Sequence, residues 1–143
     1  MKKTCFFIFS FFILGLTSLP ATVGAAPVPA LLQKPVANYQ TVDSQGAKAV
    51  LAQNAKVTVL DVRTPTEYAG GHLKNALNLN FNHPDFAAQL AKLDKNRPYL
   101  VYCAVGGRSS KAAKLMQQMG FKQVINVSEG FNSLKNAGVA VAE

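Results

Sequence analysis

The sequence has few residues of the kinds that bind metals or form disulfide bonds. Its 143 residues include two cysteines, two histidines and no tryptophan. His72 and His83 fall in different predicted elements, whereas a structural zinc site needs about four ligands close together. A disulfide framework needs several cysteine pairs. These absences exclude a zinc module and a disulfide scaffold, and we expect neither a metal nor a cofactor.

Long runs of basic residues are also missing, although the formal net charge is +8. Apart from Lys2 and Lys3, the lysines occur singly and not in the stripe that follows a nucleic-acid backbone. The chain contains neither the Gly-x-x-x-x-Gly-Lys-Ser/Thr loop of nucleotide-binding proteins nor the Gly-x-Ser-x-Gly turn of serine hydrolases. The charge therefore favours small anions as partners and argues against nucleic acid.

The apolar run near the N-terminus, from Cys5 to Leu16, is shorter than the roughly 20 residues of a membrane-spanning helix. It follows two lysines and precedes a small-residue segment that ends at Ala25, which is the pattern of a secretory signal peptide. We expect residues 1–25 to be this signal peptide, residues 26–38 a proline-rich tether, and residues 39–143 one domain. The protein would then be periplasmic or secreted, with no membrane attachment after cleavage.

Removal of the first 25 of the 143 residues leaves 118 and takes away Cys5, Lys2 and Lys3. Thirteen basic residues then face seven acidic ones, a net charge of +6. Cys103 is the only thiol of the mature chain, so no internal disulfide bond can form. A lone thiol in an oxidising compartment must be protected, kept reduced or used in chemistry of its own.

Beyond the tether, apolar runs alternate with segments of helical periodicity. We predict strands at residues 41–42, 57–60, 76–79, 99–102 and 124–127, and helices at residues 44–54, 64–68, 82–93, 108–119 and 129–137. This alternation predicts an α/β fold, a parallel sheet with helices on both faces. Ligands of such sheets bind beyond the carboxyl ends of the strands, which is where Asp61 and Cys103 fall.

The stretch that follows the strand at 99–102 is the strongest candidate for a reactive site. Gly106 and Gly107 allow backbone N–H groups to converge, and the helix that begins near Arg108 adds its partial positive charge. Such surroundings lower the pKa of a cysteine and make Cys103 a nucleophile, while Arg108 offers a planar cation to an anionic substrate. A small core hydrophobe is the alternative interpretation of Cys103.

Four stretches together resemble the rhodanese-like sulfurtransferases. They are residues 61–68 (DVRTPTEY), 71–79 (GHLKNALNL), 101–109 (VYCAVGGRS) and 120–130 (GFKQVINVSEG). The resemblance implies a five-stranded parallel sheet and catalysis through a persulfide on Cys103. It also implies that backbone N–H groups of residues 104–108 cradle the outer sulfur and that Arg108 closes the loop or meets the substrate. The predicted substrate-binding residues are Ala104, Val105, Gly106, Gly107, Arg108 and Ser109.

The length of the loop distinguishes sulfur transfer from phosphoryl transfer. Related phosphatases and arsenate reductases place five residues between the cysteine and the arginine, whereas this chain has four, Ala104 to Gly107. A shorter ring suits one sulfur atom. We expect the Cys103 thiolate to take sulfur from a small anionic donor such as thiosulfate and to pass it to cyanide or a thiol, with a protein acceptor as a further candidate.

Four further residues match family positions and are expected to support the site: Asp61, Arg63, Glu67 and His72. Arg63 and Glu67 are four residues apart, so we expect them to pair across the short helix. Asp61 and His72 are expected to hold neighbouring loops by hydrogen bonds.

Two departures from the family pattern leave a second function open. Ala104 and Val105 make the front of the loop apolar, which weakens the pull on thiosulfate, and Glu129 stands where a glycine is usual. The competing hypothesis is a non-catalytic periplasmic sulfur carrier or redox partner that uses Cys103 to receive sulfur from one protein and pass it to another.

Overall fold

The computed structural model describes residues 38–143, so the predicted signal peptide and all but the last residue of the predicted tether lie outside the described part. The strands are β1 (Asn38–Val42), β2 (Thr58–Asp61), β3 (His72–Leu73), β4 (Leu77–Asn78), β5 (Pro98–Tyr102), β6 (Gln123–Val127) and β7 (Val141–Ala142). The helices are α1 (Ser44–Gln53), α2 (Pro65–Ala69), α3 (Phe86–Ala91), α4 (Gly107–Gln118) and α5 (Phe131–Asn136). The first strand begins one residue before the predicted start of the domain.

Five strands form one parallel sheet in the order β1-β6-β5-β2-β4. Apolar side chains cover both of its faces, in two separate clusters. One cluster packs α3 and α4 against the sheet through Leu90 and Met116, and the other packs α1 and α5 through Ala47 and Leu134. The predicted α/β fold with a five-stranded parallel sheet and helices on both faces is confirmed.

Two helices, α1 and α2, begin at capping residues of the sequence. The Asp43 carboxylate accepts a hydrogen bond from the Gly46 N–H at 2.7 Å and begins α1. Thr64 begins α2 with a reciprocal capping box, in which the Thr64 hydroxyl accepts from the Glu67 N–H and the Glu67 carboxylate accepts from the Thr64 N–H. Pro65 occupies the first helical position, where a missing N–H costs nothing.

The predicted helices at residues 82–93 and 129–137 are shorter in the structure. The first of them forms only from Phe86 to Ala91, because residues 81–85 make turns. The last begins only at Phe131, since Gly130 has φ +102° and is not helical. A second, two-stranded antiparallel sheet of β3 and β7 was not predicted.

Glu129 connects the turn after β6 to the start of α1. Its carboxylate accepts hydrogen bonds from the N–H and the hydroxyl of Ser44, and the N–H distance is 2.9 Å. A negative charge at the amino end of a helix is favourable because it meets unpaired N–H groups there. The residue that departs from the family pattern thus fastens α1 to the segment beside the Cys103 loop.

Candidate active site

Cys103 directly follows β5 and lies at the carboxyl edge of the sheet, as does Asp61 at the end of β2. The residue is fully buried, with 0% of its surface exposed. Its side chain packs among the apolar cluster on the α4 side, and its Sγ accepts a hydrogen bond from the Gly106 N–H at 3.1 Å. The sulfur is therefore both enclosed by apolar atoms and contacted by the loop amides.

Two glycines allow the loop to close around this sulfur. Gly106 has φ +87°, and a Cβ built there would lie 1.9 Å from the Ser128 carbonyl oxygen. Gly130 has φ +102°, and a Cβ there would lie 2.1 Å from the Ala104 carbonyl oxygen. The loop and the turn after β6 thus touch through their main chains at two points, and no side chain fits between them.

A main-chain hydrogen bond also joins the Cys103 loop to the segment after β6. The Phe131 N–H, at the start of α5, donates to the Cys103 carbonyl oxygen at 2.8 Å. The Ser109 hydroxyl lies 3.0 Å from the Gly106 carbonyl oxygen and 3.2 Å from that of Val127. Gly130 and Phe131 were not among the predicted site residues, although a glycine followed by the first residue of a helix is a signal that could have indicated them.

The surroundings of Cys103 favour the ionised sulfur. Burial by itself raises the pKa of the thiol, because the charged form loses water. The N–H groups of Ser109 and Val105, the Ser109 hydroxyl and the Gly106 N–H act in the opposite direction and outweigh burial. The pKa of Cys103 is lowered below its ordinary value, as expected for a thiolate held by main-chain donors.

Arg108 does not point freely into the site but forms a two-pronged ion pair with Glu67. Its Nη1 lies 2.7 Å from Oε2 and its Nη2 lies 2.6 Å from Oε1 of Glu67. The hydrogen bonds to Arg108, with those from Thr64, lower the pKa of Glu67 to about 2. Glu67 raises the pKa of Arg108, and Cys103 adds to this rise. Arg108 therefore links α2 to the Cys103 loop.

Asp61 and Arg63 form a second, fully buried ion pair beneath the site. Arg63 Nη2 donates to Asp61 Oδ2 and to the Gly71 carbonyl oxygen, each at 2.7 Å. The Tyr102 hydroxyl donates to Asp61 Oδ2 at 2.5 Å and accepts from the Leu73 N–H at 3.1 Å. Burial and Asp61 raise the pKa of Tyr102, so this hydroxyl stays protonated.

The expected pairing of Arg63 with Glu67 is therefore wrong. Arg63 precedes the cap of α2, so the spacing of four residues does not place the two side chains on one helix face. Arg63 turns inward to Asp61, whereas Glu67 turns outward to Arg108. The Cζ atom of Arg63 also lies 4.2 Å from the centroid of the Phe131 ring. His72 stacks on Tyr68 at 3.7 Å, and its Nδ1 lies 3.1 Å from the Tyr68 carbonyl oxygen.

Val105 forms an apolar tip on the loop, with 80% of its surface exposed. Ala104, beside it, is partly exposed. The exposed side of the loop therefore carries methyl groups, while the nearby cation, Arg108, is already paired with Glu67.

A cavity of about 540 Å³ lies at the opposite, amino edge of the sheet, near the end of α1 and the start of β2. Its basic lining residues are Lys48, Lys74 and Arg97, and none of the predicted site residues lines it.

Within residues 38–143, no three His, Cys, Asp or Glu side chains lie close enough together to hold a metal ion. In the same range, no helix has both the length and the apolar character needed to cross a bilayer.

The model of the family described as the rhodanese-like domain matches residues 45–137, which include every predicted site residue. The chain belongs to the rhodanese-like family. Its members among solved structures include a rhodanese-related protein of Thermoplasma volcanium, which is 27% identical to this chain. The match covers 73% of this chain and 98% of that one, with a TM-score of 0.64.

Relatives by sequence include two proteins named as sulfurtransferases and one with a different name. The mitochondrial protein HIGH ARSENIC CONTENT 1 of Arabidopsis thaliana is 33% identical, over 75% of this chain and 68% of its own length. A sulfurtransferase of Allochromatium vinosum is 29% identical, over 70% of this chain and 92% of its own length. The thiosulfate sulfurtransferase GlpE of Stutzerimonas stutzeri is 34% identical, over 55% and 71%.

Proposed function

We propose that the protein transfers a sulfane sulfur atom through a persulfide on Cys103. The observation that carries this proposal is the hydrogen bond from the Gly106 N–H to Sγ, together with the further N–H groups of Val105 and Ser109 that favour the thiolate. These donors suit a sulfur anion and, after loading, the negative outer sulfur of a persulfide. Sulfurtransferases among the relatives support the same class of reaction.

The reaction has two covalent steps. The Cys103 thiolate attacks the sulfane sulfur of a donor such as thiosulfate, a new S–S bond forms, and sulfite leaves with the electron pair of the broken S–S bond. Cyanide or a thiolate then attacks the outer sulfur, which regenerates the Cys103 thiolate and releases thiocyanate or a new persulfide. In neither step does a proton have to move at Sγ, so a Cys103 that is already a thiolate needs no general base for this chemistry.

The test uses the mature protein with thiosulfate and cyanide. We expect thiocyanate to form, a one-sulfur gain in mass on Cys103 after exposure to the donor alone, and loss of both in Cys103→Ser. The matched control is Lys111→Ala, which alters an exposed residue of α4 about one turn after Gly107, the first residue of that helix, and should retain the activity. Absence of both turnover and sulfur loading in the wild-type protein would contradict the proposal.

A sulfur carrier is the second candidate, and the exposed Val105 favours it. An apolar tip beside a reactive thiol suits contact with a protein surface, where aliphatic side chains are buried on docking. A carrier would gain one sulfur on Cys103 from the donor but would not form thiocyanate at a catalytic rate. The same experiment therefore separates the enzyme from the carrier.

We also propose that the protein is exported, with cleavage after Ala25, on the basis of the lysine pair, the short apolar run and the small residues that follow. N-terminal sequencing of the protein from a fractionated bacterial host should give Ala26 as the first residue of the periplasmic form. Recovery of the uncleaved chain in the cytoplasm would contradict this.

A further inference from the structure

The ion pair between Glu67 and Arg108 bears on which donors the site accepts. Both nitrogens of the Arg108 fork that face Glu67 are used, at 2.7 and 2.6 Å. Glu67 is itself held in place, because its Oε2 also accepts from the N–H and the hydroxyl of Thr64, at 3.0 and 2.9 Å. The carboxylate is thus fixed by its own helix and does not depend on Arg108 for its position.

The charges at the site follow from this arrangement. Thiolate and carboxylate each carry one negative charge, and the guanidinium carries one positive charge, so the three groups together are negative. A donor with two negative charges must approach against that net charge or displace Glu67 from Arg108. A donor with one negative charge meets about half of the repulsion, and an apolar body on it gains contact with Val105.

Glu67 remains charged at any pH at which the reaction would be run, since hydrogen bonds from Arg108 hold its pKa near 2. The pair is only partly exposed, with 24% of the Arg108 side chain and 33% of the Glu67 side chain accessible, so water screens it incompletely. The repulsion is therefore a permanent property of the site.

We propose that Glu67 determines donor specificity: by occupying Arg108, it makes the site discriminate against dianionic donors and favour monoanionic donors with an apolar body, of the organic thiosulfonate class. This inference rests on the proposed sulfur transfer at Cys103. In the loading step, the thiolate attacks the sulfane sulfur of the thiosulfonate, the S–S bond of the persulfide forms, and the organic sulfinate leaves with the electron pair.

The experiment compares thiosulfate, a dianion, with methanethiosulfonate and benzenethiosulfonate, both monoanions. The rate of persulfide formation on Cys103 is measured for each donor by rapid quenching and mass spectrometry, so the result does not depend on an acceptor. We expect the wild-type protein to load fastest from benzenethiosulfonate. In Glu67→Gln, the rate with thiosulfate relative to methanethiosulfonate should rise about tenfold.

Glutamine is the appropriate replacement because it keeps the capping box of α2, in which either Glu or Gln serves. It removes the charge and one of the two hydrogen bonds from Arg108, since an amide has a single acceptor oxygen. The matched control is Thr64→Ala, which removes the hydroxyl contact to Glu67 but leaves the carboxylate paired with Arg108. In this variant the ratio of the two donors should stay within about twofold of the wild-type value.

A second measurement varies the salt concentration for the wild-type protein and for Glu67→Gln. Salt screens charge repulsion, so raising the ionic strength should increase the thiosulfate rate relative to the methanethiosulfonate rate. This increase should be smaller in Glu67→Gln, because the Cys103 thiolate is then the only one of the two anionic groups left to repel the donor, whereas a purely structural role of Glu67 predicts the same increase in both proteins. If both donors load Cys103 while the ratio moves neither with Glu67→Gln nor with salt, the inference is wrong and sulfur transfer stands. If no donor loads Cys103, the proposed function itself fails and the inference fails with it.

Discussion

At the scale of single residues, Gly106 and Gly107 are neighbours with different roles in the site. Gly106 has positive φ and lies against the Ser128 carbonyl oxygen, so an added methyl group has no room and an unfavourable backbone conformation. Gly107 is the first residue of α4, and a Cβ there would contact nothing within 4 Å. The adjacent positions therefore form a matched pair for mutation.

We expect Gly106→Ala to lower the free energy of unfolding by roughly 2–4 kcal/mol, because it adds both backbone strain and a clash with the main chain. Gly107→Ala should be neutral or stabilise the protein by about 0.5 kcal/mol, since alanine loses less entropy than glycine in a helix. Urea unfolding of the two variants measures the difference. Equal effects of the two substitutions would contradict the loop geometry.

The thiol of Cys103 provides a prediction about pH. Because its pKa is lowered, the thiolate fraction at a given pH should exceed that of a free cysteine, and it should fall as the pH drops through the lowered value. The rate of alkylation by iodoacetamide should have its midpoint below that of a free cysteine, about 8.5. Ser109→Ala should move the midpoint upward, since the Ser109 hydroxyl favours the thiolate. A midpoint at or above the free value would mean that burial prevails over the loop amides.

At the scale of elements, the cluster around Asp61 joins β2, β5 and the segment that contains β3. Tyr102 contributes two hydrogen bonds to it, one to Asp61 and one from the Leu73 N–H, and is fully buried. Tyr99 lies on the same strand and is also buried, but its hydroxyl forms a single hydrogen bond, to the Asp94 carbonyl oxygen at 3.0 Å. The two tyrosines differ in how many groups depend on the hydroxyl.

We expect Tyr102→Phe to lower the free energy of unfolding by about 2 kcal/mol, because it leaves a buried N–H unpaired and removes a donor from a buried carboxylate. Tyr99→Phe should cost no more than about 1 kcal/mol, the net value of one ordinary hydrogen bond. Thermal and urea unfolding of both variants test this. A larger loss from Tyr99→Phe would show that the cluster is not a main support of the sheet edge.

At the scale of the whole molecule, the Glu67–Arg108 pair makes stability depend on pH. The folded-state pKa of Glu67, about 2, is below its ordinary value of 4.5, so its contribution is complete above 4.5 and is lost as the pH falls towards 2. We expect Glu67→Gln to be less stable than wild type by about 1 kcal/mol at neutral pH, the size of a partly exposed pair. This difference should shrink when unfolding is measured between pH 4.5 and 3. A constant difference would assign the loss to the helix cap instead.

Much of the architecture could be predicted from local patterns, because the chain carries local signals for it. Asp43 and the Thr64-Pro65 pair cap helices within a few residues of themselves, and the run before Cys103 is buried on both faces of its strand. The position of Cys103 at the carboxyl edge then follows from the parallel order of the strands.

The contacts that were missed or wrong depend on how the folded chain packs and not on local sequence patterns. β3 and β7 are two residues long, which is too short for an alternation of apolar and polar residues to indicate a strand, and each strand forms by pairing with the other. Arg63 pairs with Asp61 and not with Glu67, because a buried guanidinium needs a buried partner and the cap of α2 turns Glu67 outward. The spacing of residues along a helix predicts neither the pairing of β3 with β7 nor that of Arg63 with Asp61.

The order in which a polypeptide is made adds a consequence of the contact between the Cys103 loop and Gly130. The ribosome synthesises Cys103 well before Gly130 and Phe131, whose main-chain atoms close that loop. Until the later segment has docked, the Cys103 carbonyl oxygen lacks the hydrogen bond from the Phe131 N–H, and the Ala104 carbonyl oxygen lacks its contact with Gly130. The loop therefore reaches its final geometry only when the turn after β6 has folded against it.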